Sequence, residues 1–445
     1  MTCLFAPSLA IVWFLVYAIN SLFPASLVFN IFSYLLWLVT VVYLFRMKVQ
    51  FTFFNFMAIF AYTTTGLSCL IAEFGSYFVE TQTISYLTGA TSRNLSLCFF
   101  LLYSSYAGFS LVKRLLPTTY PQIISLNRLV YSFIPFLSSA LIIGLFYISI
   151  RYGSPNDYNV DRFYYWANIA PSWGDYLKFN LVQLSFLLGM MYAARPYKWL
   201  LVMFVLGLIA QILVGEKFTG VFSAIVFFIT PYFIIHSSKF NVFSTKNIVI
   251  TLVITFIFSI AIYNSYAAIV GQKNATESFL SRIILQSQMW WAVDNISGEI
   301  KDYSELIRSF FGTASEDRYR GIFYLMSQIT PPNIFEGYYE KGINFTMASP
   351  VNFIYFFGYP LSLLVALPVG FICGVLYGMF RIAVMNYDYW IILLFIKIHY
   401  TIVRILTMGE TYALTDPKFI ILCFIALVYT LFVCLMKRRE KVYAI

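Results

Sequence analysis

Long stretches almost free of charge alternate with short polar connectors along this chain. A helix needs roughly 20 apolar residues to cross a bilayer. Stretches of about that length are predicted as spans at 3–20, 24–45, 51–72, 95–112, 129–150, 178–194, 199–215, 218–236, 247–267, 351–380, 388–408 and 418–436. They are too long and too uniformly apolar for barrel strands, and lipid offers no water to unpaired backbone groups, so helices are expected. The expected fold class is all-α: a polytopic integral membrane protein of about twelve transmembrane helices, a single transmembrane domain over 1–445. The 351–380 stretch is long, which predicts tilt or a break at Gly358-Tyr359-Pro360. The connector Gly215-Glu216-Lys217 is either a turn between spans seven and eight or a break inside the membrane. Met1 to Asn20 lacks a basic leader and reads as a retained first helix.

Two polar segments interrupt the pattern. Residues 151–177 form a polar, aromatic loop. Residues 268–350 form one large loop between spans nine and ten, far beyond ordinary connector length. Its aromatic and aliphatic content predicts structure. Thr276 or Ser278 would cap a helix through about Ile296, Asp302 to Phe311 a second closed by Gly312, and Ser315 a third ended by Pro331-Pro332. These helices are amphipathic and are expected to lie on the outer membrane surface over the bundle.

Composition agrees. Of 445 residues, 60% are hydrophobic and 11% charged, against about 25% charged in soluble domains. The mean hydropathy is +0.78. The net charge of +10 is sorted rather than spread. Connectors on one side carry Arg46, Lys48, Lys113, Arg114, Arg128, Arg195, Lys198, Lys239, Lys246 and Arg381, and the tail carries Lys437, Arg438, Arg439 and Lys441. Only Asp388 and Glu440 oppose them there. Short cytoplasmic loops retain cations, so both termini are expected in the cytoplasm. The charge is thus topological, and no nucleic-acid partner is expected. The cysteines lack metal-type spacing and only His236 and His399 are present, so no metal or other cofactor is expected.

Several polar groups stand out. Glu216-Lys217 is either an anion site, with Lys217 on a phosphate and Glu216 orienting it, or a plain surface turn. Arg404 is helically spaced from Tyr400, Thr401 and Thr407 near the outer end of span eleven. It faces either the bundle interior or, by snorkelling, the outer headgroups. Lys397 and His399 lie deeper. In the large loop Arg282 and Gln286 share a helix face, and Trp290-Trp291 suits sugar stacking or interface anchoring. Arg318 and Arg320 suit bidentate phosphate recognition or local pairing with Glu316 and Asp317. Arg162 and Tyr165 are further substrate-binding candidates in the shorter loop. Cations and aromatics at an outer bilayer face fit a lipid-linked pyrophosphate carrying a sugar. The phosphate loops of nucleotide enzymes are absent.

In layout the chain resembles the bacterial oligosaccharide repeat-unit polymerases, the O-antigen polymerase (Wzy-type) family. Local stretches carry the resemblance. Gly215-Glu216-Lys217-Phe218-Thr219-Gly220 is similar to the family's basic residue at the outer end of a span. Ser281-Arg282 with Gln286, Gln288 and Trp290 resembles the segment opening the large loop. Gly342-Ile343-Asn344-Phe345-Thr346, Pro350, Phe357-Gly358 and Gly370 to Gly374 resemble its return to the membrane. The family's arginine-and-glycine loop pattern has no clean match. The resemblance implies a GT-C-like bundle in the bacterial inner membrane with a periplasmic active site. The implied reaction is glycosyl transfer from undecaprenyl pyrophosphate onto the terminal sugar of a new undecaprenyl-pyrophosphate-linked repeat unit. Lys217, Arg282 and Arg404 would stabilise the departing pyrophosphate, with Glu216, or else Asp161 or Glu410, as base. A separate chain-length regulator is implied as partner. An O-antigen ligase and a lipid-linked oligosaccharide flippase are the alternatives; residues 268–350 lack the histidine of ligases, and no paired repeat of a transporter is visible.

Overall fold

A computed structural model describes residues 2–116, 124–158, 160, 162–216, 219–237, 244, 280–298 and 300–443. The expected ninth span, the first loop residues 268–279, Asp161 and Lys217 lie outside the described residues. The described residues are overwhelmingly helical and include a short antiparallel hairpin pairing Tyr77–Phe78 with Thr83–Ile84.

The first half contains α1 (Thr2–Leu22), α2 (Leu27–Met47), α3 (Val49–Phe54), α4 (Phe56–Ala72), α5 (Ala90–Leu115) and α6 (Ile124–Tyr152). Then come α7 (Arg162–Asn168), α8 (Ser172–Ala194), α9 (Lys198–Leu213) and α10 (Thr219–Ile235). The second half contains α11 (Gln288–Ile296), α12 (Gly321–Ile329), α13 (Pro332–Glu340), α14 (Val351–Met385), α15 (Tyr389–Met408) and α16 (Pro417–Tyr443). Among the described residues six helices are long and apolar enough to cross a membrane: Leu27–Met47, Ala90–Leu115, Leu126–Tyr152, Ser172–Ala194, Val351–Met385 and Tyr389–Met408. Shorter apolar helices occupy Pro7–Leu22, Phe56–Ala72, Lys198–Leu213, Gly220–Ile235 and Pro417–Phe432. Their outer faces expose large apolar side chains, among them Ile11, Val28, Phe136, Ile143, Ile150 and Phe424. Water would not tolerate that much apolar surface; lipid does. The protein is membrane-embedded.

The core is built on α5 and α14, the most extensive helix pairing among the described residues. Gly370, Gly374 and Gly378 recur every four residues on α14 and so share one face. A Cβ at Gly374 would lie 1.8 Å from the Ser105 carbonyl oxygen, and one at Gly370 would lie 2.4 Å from that of Leu101. Across the seam a Cβ at Gly108 would lie 2.3 Å from the Phe371 carbonyl oxygen. Small residues on both helices bring the backbones into contact, the usual way helices pack without a hydrophobic drive in lipid. Gly189 plays the same part between α8 and α10, where a Cβ would meet the Phe228 carbonyl oxygen at 1.9 Å.

The predicted break in α14 is present: Gly358 has φ 69° and ψ 155°. Pro360 has no N–H for the Phe356 carbonyl, and that carbonyl instead accepts the Lys301 N–H at 3.2 Å.

The large loop departs from expectation. Its first helical stretch turns at Gln286-Ser287, after which α11 begins. The helix α11 buries Met289, Trp290, Trp291 and Val293 against the bundle. The second predicted helix is a turn over Tyr303–Glu305 running into a π-helix at Leu306–Phe310, closed near Gly312 (φ 70°). The third begins at Gly321 rather than after Ser315, because Arg320 draws in the carbonyls of Ala314 and Ser315 and bends the chain. Pro332 then opens α13 instead of ending the structure, in keeping with proline's tolerance at a first helical turn.

Candidate functional site

Charged side chains gather where α7, α8, the α9–α10 connector, the C-terminal end of α15 and the segment after it meet. Lys178 stands in the second turn of α8, its side chain only 9% exposed. Its ammonium lies 2.7 Å from Asp175 Oδ1 and 2.7 Å from Glu216 Oε1, and 4.8 Å from the Trp166 ring centroid. The other Glu216 oxygen meets Arg162 Nη1 at 3.1 Å. Each carboxylate oxygen therefore faces its own cation. The flanking glycines make room for this. Gly215 has φ +91°, which favours glycine, and a Cβ at Gly220 would sit 2.6 Å from Glu216 Oε2.

A second pair lies beside it. Arg404 in the last turns of α15 forms an ion pair with Glu410. Gly409 ends the helix with φ +68°, returning the chain so that Glu410 comes back to Arg404. The helix terminus is pinned: the Thr407 carbonyl accepts Ser349 N–H at 3.2 Å, and the Gly409 carbonyl accepts Asn352 Nδ2 at 3.1 Å. The Glu410 carboxylate is buried, while the Arg404 side chain is 45% exposed. Tyr412 donates its hydroxyl to Glu410 Oε2 at 3.2 Å. Its ring fits a notch formed by Gly312 and Gly321, where any Cβ would come within 2.7 Å of it. Burial, reinforced by the Glu410 carboxylate, pushes the Tyr412 hydroxyl above its ordinary value, so it remains a donor.

Tyr400, one helical turn before Arg404, lies within the electrostatic reach of Arg404, Glu410, Asp175 and Glu216. Phe179 packs edge-on against it at 6.5 Å. Beside the cations, Trp173, Tyr176 and Phe179 present exposed rings. The site thus combines an ion network with an open aromatic flank on the same helix.

The other candidates fall elsewhere. Arg282 is 58% exposed and lies 3.9 Å from Glu80. Glu80 also accepts the Tyr338 hydroxyl at 2.9 Å and a bond from Gln288. Burial and the Glu80 charge push the Tyr338 hydroxyl up to about 12, against the opposing pull of Arg282. Gln286 reaches the Arg282 backbone carbonyl at 3.4 Å, and its Oε1 accepts Thr346 Oγ1 at 3.0 Å. Arg318 Nη2 donates to both Glu336 carboxylate oxygens, at 2.6 and 2.7 Å, with the guanidinium over the Tyr339 ring, and not to Glu316 or Asp317. Arg320 clamps the Ala314 and Ser315 carbonyls and reaches Asp317 at 3.4 Å.

Three expected substrate contacts are corrected by burial. Trp290 is fully enclosed, with its indole N–H bonded to the Ser349 carbonyl at 2.9 Å. Trp291 bonds the Tyr86 carbonyl at 2.8 Å and packs on the Phe78 and Tyr86 rings. Tyr165 is buried with its hydroxyl on the Gly153 carbonyl at 2.8 Å. None offers a ring face to a sugar. The polar face read around Arg404 is narrower than expected as well, because the Thr401 and Thr407 hydroxyls bond back to their own helix. Lys397 is exposed and bonds the Asn180 side-chain oxygen at 3.2 Å; His399 is buried among the Phe54, Phe186, Phe227, Tyr377 and Phe380 rings.

Lys178 is the residue that sequence reasoning missed. Its signal was the Asp175–Lys178 spacing at a span's outer end, which places acid and base on one helix face. The buried Arg93–Asp294 pair tying α5 to α11 was missed too, as was Glu73. The Glu73 carboxylate accepts the Ala90 and Thr91 backbone N–H groups at 3.1 and 3.2 Å, at the start of α5. It serves as a structural anion at a helix N-terminus.

Residues 315–423 match the model of a family of unknown function, DUF6418. The match takes in Arg318, Arg320, Arg404 and Glu410 and leaves Lys178, Glu216 and Arg282 outside. No curated protein matches the chain, and no solved structure matches it.

Proposed function

We propose that the protein polymerises lipid-linked oligosaccharide repeat units, moving a growing glycan from a polyprenyl pyrophosphate onto the non-reducing end of a second lipid-linked unit. The observation carrying this reading is the set of ion pairs around Glu216 and Glu410, flanked by the exposed rings of Trp173, Tyr176 and Phe179. On this reading the chain crosses the bacterial inner membrane twelve times, both ends are cytoplasmic, and the network faces the periplasm, where lipid-linked units are presented.

In the reaction an acceptor hydroxyl oxygen attacks the anomeric carbon of the donor. The bond from that carbon to the phosphate oxygen breaks, and the pyrophosphate leaves with the electron pair. Arg404 and Arg162, both part-exposed, supply the guanidinium groups for the charge that develops there; Lys217 and Arg282 are further cations for the same lipid headgroup. Fixed donors aimed at a developing anion are worth about 10²–10³ in rate each. Glu216 takes the hydroxyl proton, with Glu410 as the second candidate base, or the departing phosphate takes it directly. Lys178 positions Glu216. Arg318 and Arg320, engaged with Glu336 and with loop carbonyls, shape the loop rather than meet the pyrophosphate.

Deleting the gene in its host and resolving the surface polysaccharide on a gel tests the reading. Polymerase loss leaves a single capped repeat unit and no ladder. Loss of all capping would instead assign the chain to ligation or flipping and overturn the proposal.

A further inference from the structure

At the end of the bundle opposite the ion network, α1, α2 and α5 enclose a groove of about 360 Å³. Its lining is mostly apolar, with Leu9, Leu44, Phe99 and Leu102 along it, and it contains Lys48 and Arg114 but no carboxylate. Lys48 follows the last turn of α2, and Arg114 stands in the last turn of α5. The Lys48 ammonium lies 4.7 Å from the Tyr106 ring centroid. None of the ion pairs found among the described residues uses Lys48 or Arg114. At the other end Arg93, Arg162, Lys178, Arg282, Arg318, Arg320 and Arg404 each have an acid partner, while Lys301 and Arg308 lie over the Tyr355 and Tyr319 rings.

The α5 wall is more than long enough for one leaflet. From Phe99 to Arg114 the α5 wall rises roughly 22 Å at 1.5 Å per residue. Half of a hydrocarbon core is roughly 15 Å, so the wall runs from headgroup level to beyond the midplane. Two cations without acid partners at the mouth of an apolar lane complement an anion attached to a long hydrocarbon.

We propose that this groove is a binding site for an anionic diacyl phospholipid of the phosphatidylglycerol class, one acyl chain lying along α5 and the phosphate between Lys48 and Arg114. Arg46 and Lys113 add to the attraction from adjoining positions. Each basic residue near an anionic headgroup contributes about 1 kcal/mol, so two should give selectivity of about tenfold or more over a zwitterionic lipid.

The test uses the full-length protein purified in detergent and offered equal amounts of dioleoyl phosphatidylglycerol and dioleoyl phosphatidylcholine, with retained lipid counted by native mass spectrometry. The expected result is a preference for phosphatidylglycerol of about tenfold or more. It should collapse in the Lys48→Gln, Arg114→Gln double variant and persist in Lys48→Arg. The thermal midpoint of each variant in phosphatidylcholine should match the parent, which excludes misfolding as the cause. Equal retention of the two lipids, or a preference untouched by the double variant, overturns the proposal. So does displacement of phosphatidylglycerol by millimolar inorganic phosphate, since that assigns the mouth to a free anion. Displacement by equimolar undecaprenyl phosphate assigns the lane to a prenyl chain and equally overturns it.

Discussion

Glu216 holds the centre of the site, and its environment decides what each neighbour contributes. Its carboxylate is buried and shared between Lys178 and Arg162. Replacing Lys178 with methionine leaves it with one partner in a low-dielectric setting. Breaking a buried pair costs about 3–5 kcal/mol; with Arg162 still in place the low end is expected, read as a fall in thermal midpoint that the added Glu216→Gln change largely restores. Failure of that rescue would mean that Lys178 acts by packing alone. Trp290 makes the opposite case. Trp290→Phe strips the buried Ser349 carbonyl of its donor and should cost about 1–3 kcal/mol, with glycan recognition unchanged. Stability at the parent level together with weakened glycan binding would return the ring to the substrate site. Tyr338 provides a pH signature. A hydroxyl raised on folding contributes stability that is whole below its unfolded value of about 10 and lost as pH rises through about 12. Between those values the parent should lose more stability than Tyr338→Phe; parallel curves would show that the bond to Glu80 adds nothing.

How far such residues could be read in advance depended on what fixes their surroundings. Arg404 was legible because a guanidinium near a span's end must find a partner or water. Its partner Glu410 was noted only as a possible base, since their pairing depends on the left-handed turn at Gly409, which no spacing rule reports. Lys178 was hidden inside a stretch counted as apolar. Trp290 and Trp291 look the same in sequence whether their rings face a sugar or a helix.

Among the helices, the long apolar stretches were legible because length and apolarity are what the bilayer selects, and the Gly358 break because proline removes a donor at a known position. The register of α14 on α5 was not. In sequence Gly370 and Gly374 resemble a family signature; their geometry is that of a backbone-to-backbone seam. Gly374→Ala must push the helices apart, because the obstacle is the Ser105 carbonyl and not a side chain that can turn away. Overpacking of this kind costs about 1–3 kcal/mol. Gly337 on α13 has open space around the position of a Cβ, and Gly337→Ala should leave stability unchanged or raise it by about 0.5–1 kcal/mol. Equal thermal midpoints for the two variants would contradict the seam. The buried place of α11 was equally unforeseen: its apolar face suits lipid or protein alike, and only the assembled bundle decides between them.

For the molecule as a whole, two ends of one apolar bundle carry cations in different states. At one end Arg162, Lys178 and Arg404 meet Glu216, Asp175 and Glu410 near exposed aromatic rings. At the other, Lys48 and Arg114 line a groove without a carboxylate. Loop charge alone anticipated two unlike sides; it could not anticipate that one would be an interlocked network. The DUF6418 match contains Arg404 and Glu410 but not Glu216, so the proposed site is assembled from both halves of the chain. The most direct test is a time course of glycan length with the purified full-length protein in lipid nanodiscs, supplied with undecaprenyl-pyrophosphate-linked repeat units. Stepwise lengthening with release of undecaprenyl pyrophosphate is expected, slowed about 100-fold or more by Arg404→Ala when both proteins are assayed well below the thermal midpoint of the variant, which loss of the partner of buried Glu410 lowers. No lengthening by the parent protein, or the same rate in both proteins, would contradict the proposed chemistry.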